Sequence, residues 1–305
     1  MKKFIIIPVL IFFVISSCSV SHNTGKNNLN NNGSCQLVKD KYGNPMLWGS
    51  CSPASFMQKP FSDWFNTQYT GYKTDSALCT RLNLDKVKVD VFMGTWCGDS
   101  KREVPRMLKV LNYCGVKEDR LRVYTVNNSD SAYKQTPGNE SAAGNIFRVP
   151  TFIFYNEAGT ELGRIIESPV QTLEKDMEAI LTGKPYVPHY AQQHHLLQFC
   201  RTAGDEPFRQ NINKEIEKIK DSSFAGYTLN NIIYVLMASG YTERAGEIVR
   251  INESFFPGDV AAMTGKARYL KHTGKTVEAA GCCRQILQKD PAHTAAKEIL
   301  ASLNK

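Results

Sequence analysis

At 305 residues the chain is long enough for two cores of ordinary size, and 42% apolar with 22% charged residues excludes a largely disordered protein. Its formal charge of +8 is scattered along the whole length without a basic run or interleaved aromatics, which excludes a stripe that tracks nucleic acid and leaves solubility, with mild attraction to an anionic membrane surface. Lys2 and Lys3 precede an apolar run from Phe4 to Ile15, followed by Ser16, Ser17 and Cys18, the layout of an export signal. The run is about 12 residues against the ~20 that a spanning helix needs, which disfavours a transmembrane anchor.

An apolar run ending in small residues and a cysteine resembles the bacterial lipoprotein signal, in which the cysteine is acylated and becomes the mature N-terminus. The resemblance implies a signal peptide over 1–17, lipidation at Cys18 and a membrane held through that lipid. Serine at both positions before Cys18 is a looser version of the motif, and a soluble secreted form is the alternative. Residues 18–34, rich in Asn, Ser and Gly, bury almost nothing and read as a flexible tether, so the folded part is expected to begin near Cys35.

Export places the other eight cysteines in an oxidising compartment, where disulfides form and persist. Cys35 and Cys51 flank two short alternating runs, Gln36 to Lys39 and Met46 to Trp48, around the turn signal Tyr42-Gly43-Asn44-Pro45, and a β-hairpin extension is expected over 35–57. A Cys35–Cys51 bridge would staple a ribbon that is marginal alone. The pairing stays open, since Cys79 and Cys114 are also available and spacing does not decide connectivity.

Phe61, Trp64, Phe65 and Tyr69 recur at helical spacing and read as a core-facing stripe, with no cofactor box implied. A β-type run, Lys86 to Met93, then leads through Gly94-Thr95-Trp96-Cys97-Gly98-Asp99-Ser100 into a helix over 98–113, with Val104, Leu108 and Leu111 on one face and Gly115 as its stop. The first turn of a helix offers unpaired N–H groups and the positive end of its dipole, which favour thiolate over thiol; Cys97 is therefore the candidate nucleophile.

Residues 95–100, Pro105 and Val149-Pro150-Thr151 together resemble the thioredoxin family. In that family the tryptophan flanks the nucleophilic cysteine, the downstream proline kinks the active-site helix, and the proline before threonine has a cis bond facing the thiol. The resemblance implies an α/β thioredoxin-like domain over 58–183, a mixed sheet flanked by helices, with Trp96, Gly98, Asp99, Ser100, Pro150 and Thr151 surrounding Cys97 and Thr95 on the substrate-facing surface. The expected strands lie near 86–93, 121–126, 151–155 and 161–166, with a closing helix over 171–182.

Two departures from the family pattern matter. Ser100 stands where dithiol members have a second cysteine, so redox cycling within the motif is excluded. Val91 stands where they keep a buried acid, with Asp90 on the opposite strand face, so the usual internal proton acceptor is missing. A thiolate that forms mixed disulfides remains, and its release needs another thiol. Cys114 lies at the far end of the helix, ~25 Å away at 1.5 Å per residue, too distant to serve. For Asp99 and Ser100, tuning of the thiolate, Ser100 by a hydrogen bond to the sulfur, stands beside plain helix-start chemistry.

After Thr182-Gly183-Lys184-Pro185 the β-type runs stop, and an all-α domain is expected over 184–305. Leu236, Gly240, Ala245, Arg250 and Pro257 recur 34 residues later as Leu270, Gly274, Ala279, Arg284 and Pro291. That period is the tetratricopeptide length, and Tyr227 to Leu303 resembles those repeats, whose concave face binds protein segments. Helices between 190 and 220 are expected to cap the stack or form a degenerate unit. Of Cys282 and Cys283 at most one is expected in the core, with Cys200 a possible partner for it. His189, His194 and His195 read as helix-start and surface residues, with no metal site.

The leading expectation is an envelope-facing, membrane-tethered thioredoxin-like protein acting on client thiols or disulfides through Cys97, with the repeats recruiting clients, and with no cofactor, metal or nucleic acid. The alternative is a non-catalytic binding scaffold in which Cys97 is vestigial. A peroxide-reducing enzyme is disfavoured, because the threonine and arginine arrangement of that family is absent around Cys97.

Overall fold

The structure, a computed structural model, describes residues 33–220 and 225–303. The expected signal peptide, Cys18 and the tether as far as residue 32 lie outside the described residues. Among the described residues no helix is long and apolar enough to cross a membrane.

The first region is α/β, built on a mixed six-stranded sheet of order β1-β2-β4-β3-β5-β6. Its strands are β1 (Gln36–Lys39), β2 (Pro45–Cys51), β3 (Lys88–Met93), β4 (Leu121–Thr125), β5 (Thr151–Tyr155) and β6 (Glu161–Ile166). β3 and β4 are parallel, and every other neighbouring pair is antiparallel. The 35–57 hairpin forms as expected, around a turn in which the Asp40 carboxylate accepts the N–H groups of Tyr42 and Asn44, each at 2.8 Å. It is not an extension, however. β2 pairs with β4 through Gly49, Ser50 and Cys51, so the hairpin completes the sheet edge that β4 would otherwise leave unpaired. Order also begins earlier than Cys35: Ser34 bridges Ser50, whose N–H donates to the Gly33 carbonyl at 2.7 Å.

The strands alternate between two cores. Val89, Val91 and Met93 of β3 face one side, where they pack with Phe152 and Phe154 of β5 and with α1 (Ser62–Gly71), α3 (Gly98–Tyr113) and α5 (Leu173–Thr182). The aromatic stripe of α1 lies here, Phe65 stacking on Phe56 at 5.9 Å. α3 contributes Val104, Met107, Leu108, Val110 and Leu111, each fully buried apolar side chain being worth roughly 1.5–3 kcal/mol. On the opposite face Phe92 stacks on Tyr124 at 5.0 Å among Val126, Ile146, Val149 and Ile153.

Two disulfides join Cys35 to Cys51 and Cys79 to Cys114. The second ties the short α2 (Ser76–Cys79) to the C-terminal end of α3.

The second region is all helical: α6 (Ala191–Thr202), α7 (Asp205–Lys220), α8 (Ala225–Ala238), α9 (Thr242–Phe255), α10 (Val260–His272), α11 (Thr276–Lys289) and α12 (Thr294–Leu303). The repeat in the sequence sets the helix starts: α9 begins at Thr242 and α11 at Thr276, α10 at Val260 and α12 at Thr294. Gly240 and Gly274 make the turns inside the pairs at φ +84° and +77°, a region that costs other residues energy. α6 and α7 stack on α8 and α9 as a further pair. The stack packs on the sheet region, with Phe147 and Ile166 in the core shared by α6 to α9.

Three expectations for this region are corrected. Cys282 and Cys283 are both buried, because α11 packs on α10 along one side and α12 along another. Cys200 is a free thiol in a different core from theirs, so no bridge joins them. His194 is half-buried with an unpartnered Nε2, and burial pushes its imidazole down to about 4; it is not a surface residue.

α8 and α10 approach closely at Gly265. A β-carbon there would collide with Oδ1 of Asn230, whose Nδ2 donates to the Ala261 carbonyl at 2.6 Å. Gly265→Ala is therefore expected to destabilise the protein by about 1 kcal/mol, since overpacking of 1–3 kcal/mol exceeds the ~1 kcal/mol helical gain of alanine. Gly281→Ala in α11, where a β-carbon meets nothing within 4 Å, is expected to stabilise by up to ~1 kcal/mol. Urea denaturation of both variants checks the opposite signs.

Candidate functional site

Cys97 stands at the junction of β3 and α3, as the residue capping the helix N-terminus, with extended backbone at φ −90° and ψ 128°. Its N–H donates to the Gly94 carbonyl at 2.9 Å, and its own carbonyl accepts from Lys101 N–H at 3.0 Å, which starts the helix ladder. The half-buried thiol donates to the Val149 carbonyl at 3.3 Å. The Val149–Pro150 peptide is cis, and the segment before β5 lies against the sulfur.

The surrounding residues hold this junction. Trp96 covers Gly94 so closely that a β-carbon there would lie 2.5 Å from its ring, and its indole N–H donates to the Val126 carbonyl at 3.0 Å. Ser100 is fully buried, and its hydroxyl accepts the Gly94 N–H at 3.2 Å. The bond it makes here goes to the loop before Cys97. Asp99 turns outward and pairs with Arg102 at 2.8 Å, while Gly98 is exposed. Thr95 is buried beside the cavity described below, and its hydroxyl accepts the Leu47 N–H at 3.1 Å and ties the loop to β2. The Thr151 hydroxyl donates to the Arg148 carbonyl at 2.9 Å, fixing the turn around Pro150.

No acid lies behind the thiol on β3. Val91 is fully buried in the apolar core, and Asp90 faces the other side of the sheet, where Arg122 grips it in a bidentate pair at 2.6 and 2.7 Å. Burial raises the Asp90 carboxyl, and Arg122 opposes that shift.

Basic residues occupy the vicinity instead. Arg148 is buried, pairs with Glu167 at 2.8 and 3.1 Å, and lies 3.9 Å over the Tyr190 ring. Lys134, only 6% exposed, donates to the Phe147 carbonyl at 2.6 Å. Burial, assisted by the Arg148 charge, pushes its amine down to about 8. The sequence reading missed both. Arg148 adjoins Val149-Pro150, the signal that points to it; Lys134 lies in an irregular stretch with no period to mark it.

Beside this junction, the sheet region and the helical stack enclose a cavity of about 730 Å³, lined by Trp96, Lys101 and Tyr133 on one side and Tyr227, Tyr234 and Arg268 on the other. Tyr133 joins the two walls: its hydroxyl donates to Asn231 Oδ1 at 2.8 Å and its ring meets Tyr234 edge-on at 5.6 Å. Asp130 adds ion pairs to Arg268 and Lys271. Among the described residues, no cluster of His, Cys, Asp or Glu has the arrangement to hold a metal ion.

No protein-family model and no curated protein matches this chain.

Proposed function

We propose that residues 58–183 form a thioredoxin-like domain that exchanges disulfides with client proteins through the Cys97 thiolate, and that the tetratricopeptide-like stack over 184–305 recruits those clients. The observation that carries this reading is a free, half-buried thiol at the start of α3, bonded to the carbonyl before cis-Pro150. The adjoining cavity between active-site loop and helical stack supports recruitment, because a segment seated there lies beside Trp96. Two disulfides fit an oxidising compartment, and with the sequence of residues 1–18 they support an exported, lipid-anchored protein of the cell envelope that faces the periplasm.

In the proposed step the Cys97 thiolate attacks one sulfur of a client disulfide. A Cys97–client S–S bond forms, the client S–S bond breaks, and the departing thiolate takes a proton from water. A second thiol must then attack the mixed disulfide to free Cys97. Within the described residues every other cysteine is bridged or buried, which favours a thiol of the client, of a partner protein or of a small molecule.

Mixed disulfides are therefore expected to accumulate when the mature protein is mixed with an envelope extract, free thiols are blocked, and non-reducing gels are compared with those of Cys97→Ala. Adducts should vanish in the variant. Identical lanes, with proteins still co-purifying non-covalently, would replace this reading with the binding scaffold, which the serine at position 100 and the valine at position 91 favour.

A further inference from the structure

We infer that the Lys134 ammonium is the internal counter-charge of the Cys97 thiolate. The inference rests on Cys97 being a working nucleophile, but its test does not need a client.

Four observations carry it. Lys134 is buried, so its ammonium has lost its hydration and a nearby anion would offset that loss. Its backbone has φ +56°, a left-handed conformation that a lysine adopts at a cost, held by its N–H donating to the Asn127 carbonyl at 2.8 Å. Among the described residues no carboxylate forms an ion pair with it, and Glu167, the carboxylate that acts on it, is already bonded to Arg148. Finally, amine and thiol are anchored on one short segment. Lys134 Nζ holds the Phe147 carbonyl and Cys97 Sγ holds the Val149 carbonyl, two residues apart, which is at most about 7 Å of chain.

The groups facing Lys134 sort by sign. Arg148 opposes its charge, while Cys97, Tyr227 of α8 and Glu167 at the end of β6 favour it, Cys97 most strongly of the three; the Tyr133 ring lies 4.9 Å from its Nζ. Arg148 outweighs Glu167, so their pair does not compensate Lys134, and Cys97 is the group that most favours its charge. Attraction of this kind is reciprocal: whatever holds Lys134 protonated when the thiolate forms also holds the thiolate when Lys134 is protonated. With its amine titrating near 8, Lys134 is charged across the neutral range and lends that charge to Cys97 there.

The rate of Cys97 alkylation by iodoacetamide, read by mass on the Cys97 peptide between about pH 5 and pH 9, tests this on the whole mature protein. Lys134→Met is expected to lower the rate near neutrality by roughly tenfold and move the profile to higher pH, while Lys134→Arg keeps it near wild type. A folded Lys134→Met protein whose profile superimposes on wild type overturns the inference. Should that variant not fold, the Lys134 amine followed by NMR decides: in Cys97→Ser it should titrate at lower pH than in wild type, and an unchanged titration overturns the inference. Loss of mixed disulfides in the envelope extract would overturn the proposed function and leave this result standing.

Discussion

Replacing Cys79 and Cys114 together by serine is expected to cost about 4 kcal/mol of stability, measured by urea denaturation without reductant. The bridge closes a loop with a sequence separation of 35, and the entropy it removes from the unfolded chain scales with the logarithm of that loop. The native state depends on it locally as well. α2 has only four residues, held otherwise by the Asp75 carboxylate accepting the Leu78 N–H at 3.1 Å, and a helix of that length has no stability of its own. The Cys35–Cys51 bridge, with a separation of 16, is expected to be worth about 3 kcal/mol, so serine pairs at the two sites should rank in that order. A loss below about 1 kcal/mol for the Cys79–Cys114 pair would mean that the unfolded chain is not what the bridge constrains.

Lys134→Met is expected to stabilise the protein by about 2 kcal/mol at pH 7, with the gain fading as the pH approaches 10.5. Lys134 titrates near 8 when folded and at its ordinary 10.5 when unfolded, principally because burial disfavours its charge and secondarily because Arg148 repels it. Between those values the unfolded chain binds the extra proton, so wild-type stability rises with pH across that window. Below it both states are protonated and the whole cost of burying the ammonium is present, on the order of 3 kcal/mol at 1.36 kcal/mol per pH unit. Methionine removes that cost, and about 1 kcal/mol is returned by leaving the Phe147 carbonyl without its donor. Denaturation of both proteins at pH 7 and pH 10 reads the effect as the difference between the two pH values. A variant that is less stable at pH 7 would show that the amine contributes more than its burial costs. A protein that becomes more stable and less reactive by one substitution has the signature of a residue kept for function.

Most of the elements were legible in the sequence. Strands β3, β5 and β6 and helix α3 followed from hydrophobic periodicity and from glycine and proline punctuation, and the 34-residue recurrence placed the helices from Thr242 onward. Local patterns succeed here because each element buries one face, and burial imposes a period on its own residues. What failed was non-local. The hairpin over 35–57 reads as an extension, but its second strand pairs with β4, about 75 residues further along the chain, and no local pattern encodes a sheet edge waiting for a partner.

The candidate site divides along the same line. The sequence by itself determined the candidate nucleophile, its place at a helix start, the serine at position 100 and the absence of an acid at Val91, because these are statements about residue identity and short spacing. Only the tertiary structure decided that Ser100 bonds Gly94, that Cys114 is taken by Cys79, and that a helical wall rises opposite Trp96. It alone brought Lys134, from an irregular stretch, to the segment that also holds the Cys97 thiol. A buried charge is set by what surrounds it in three dimensions, and the groups that surround Lys134 come from four separate stretches of the chain.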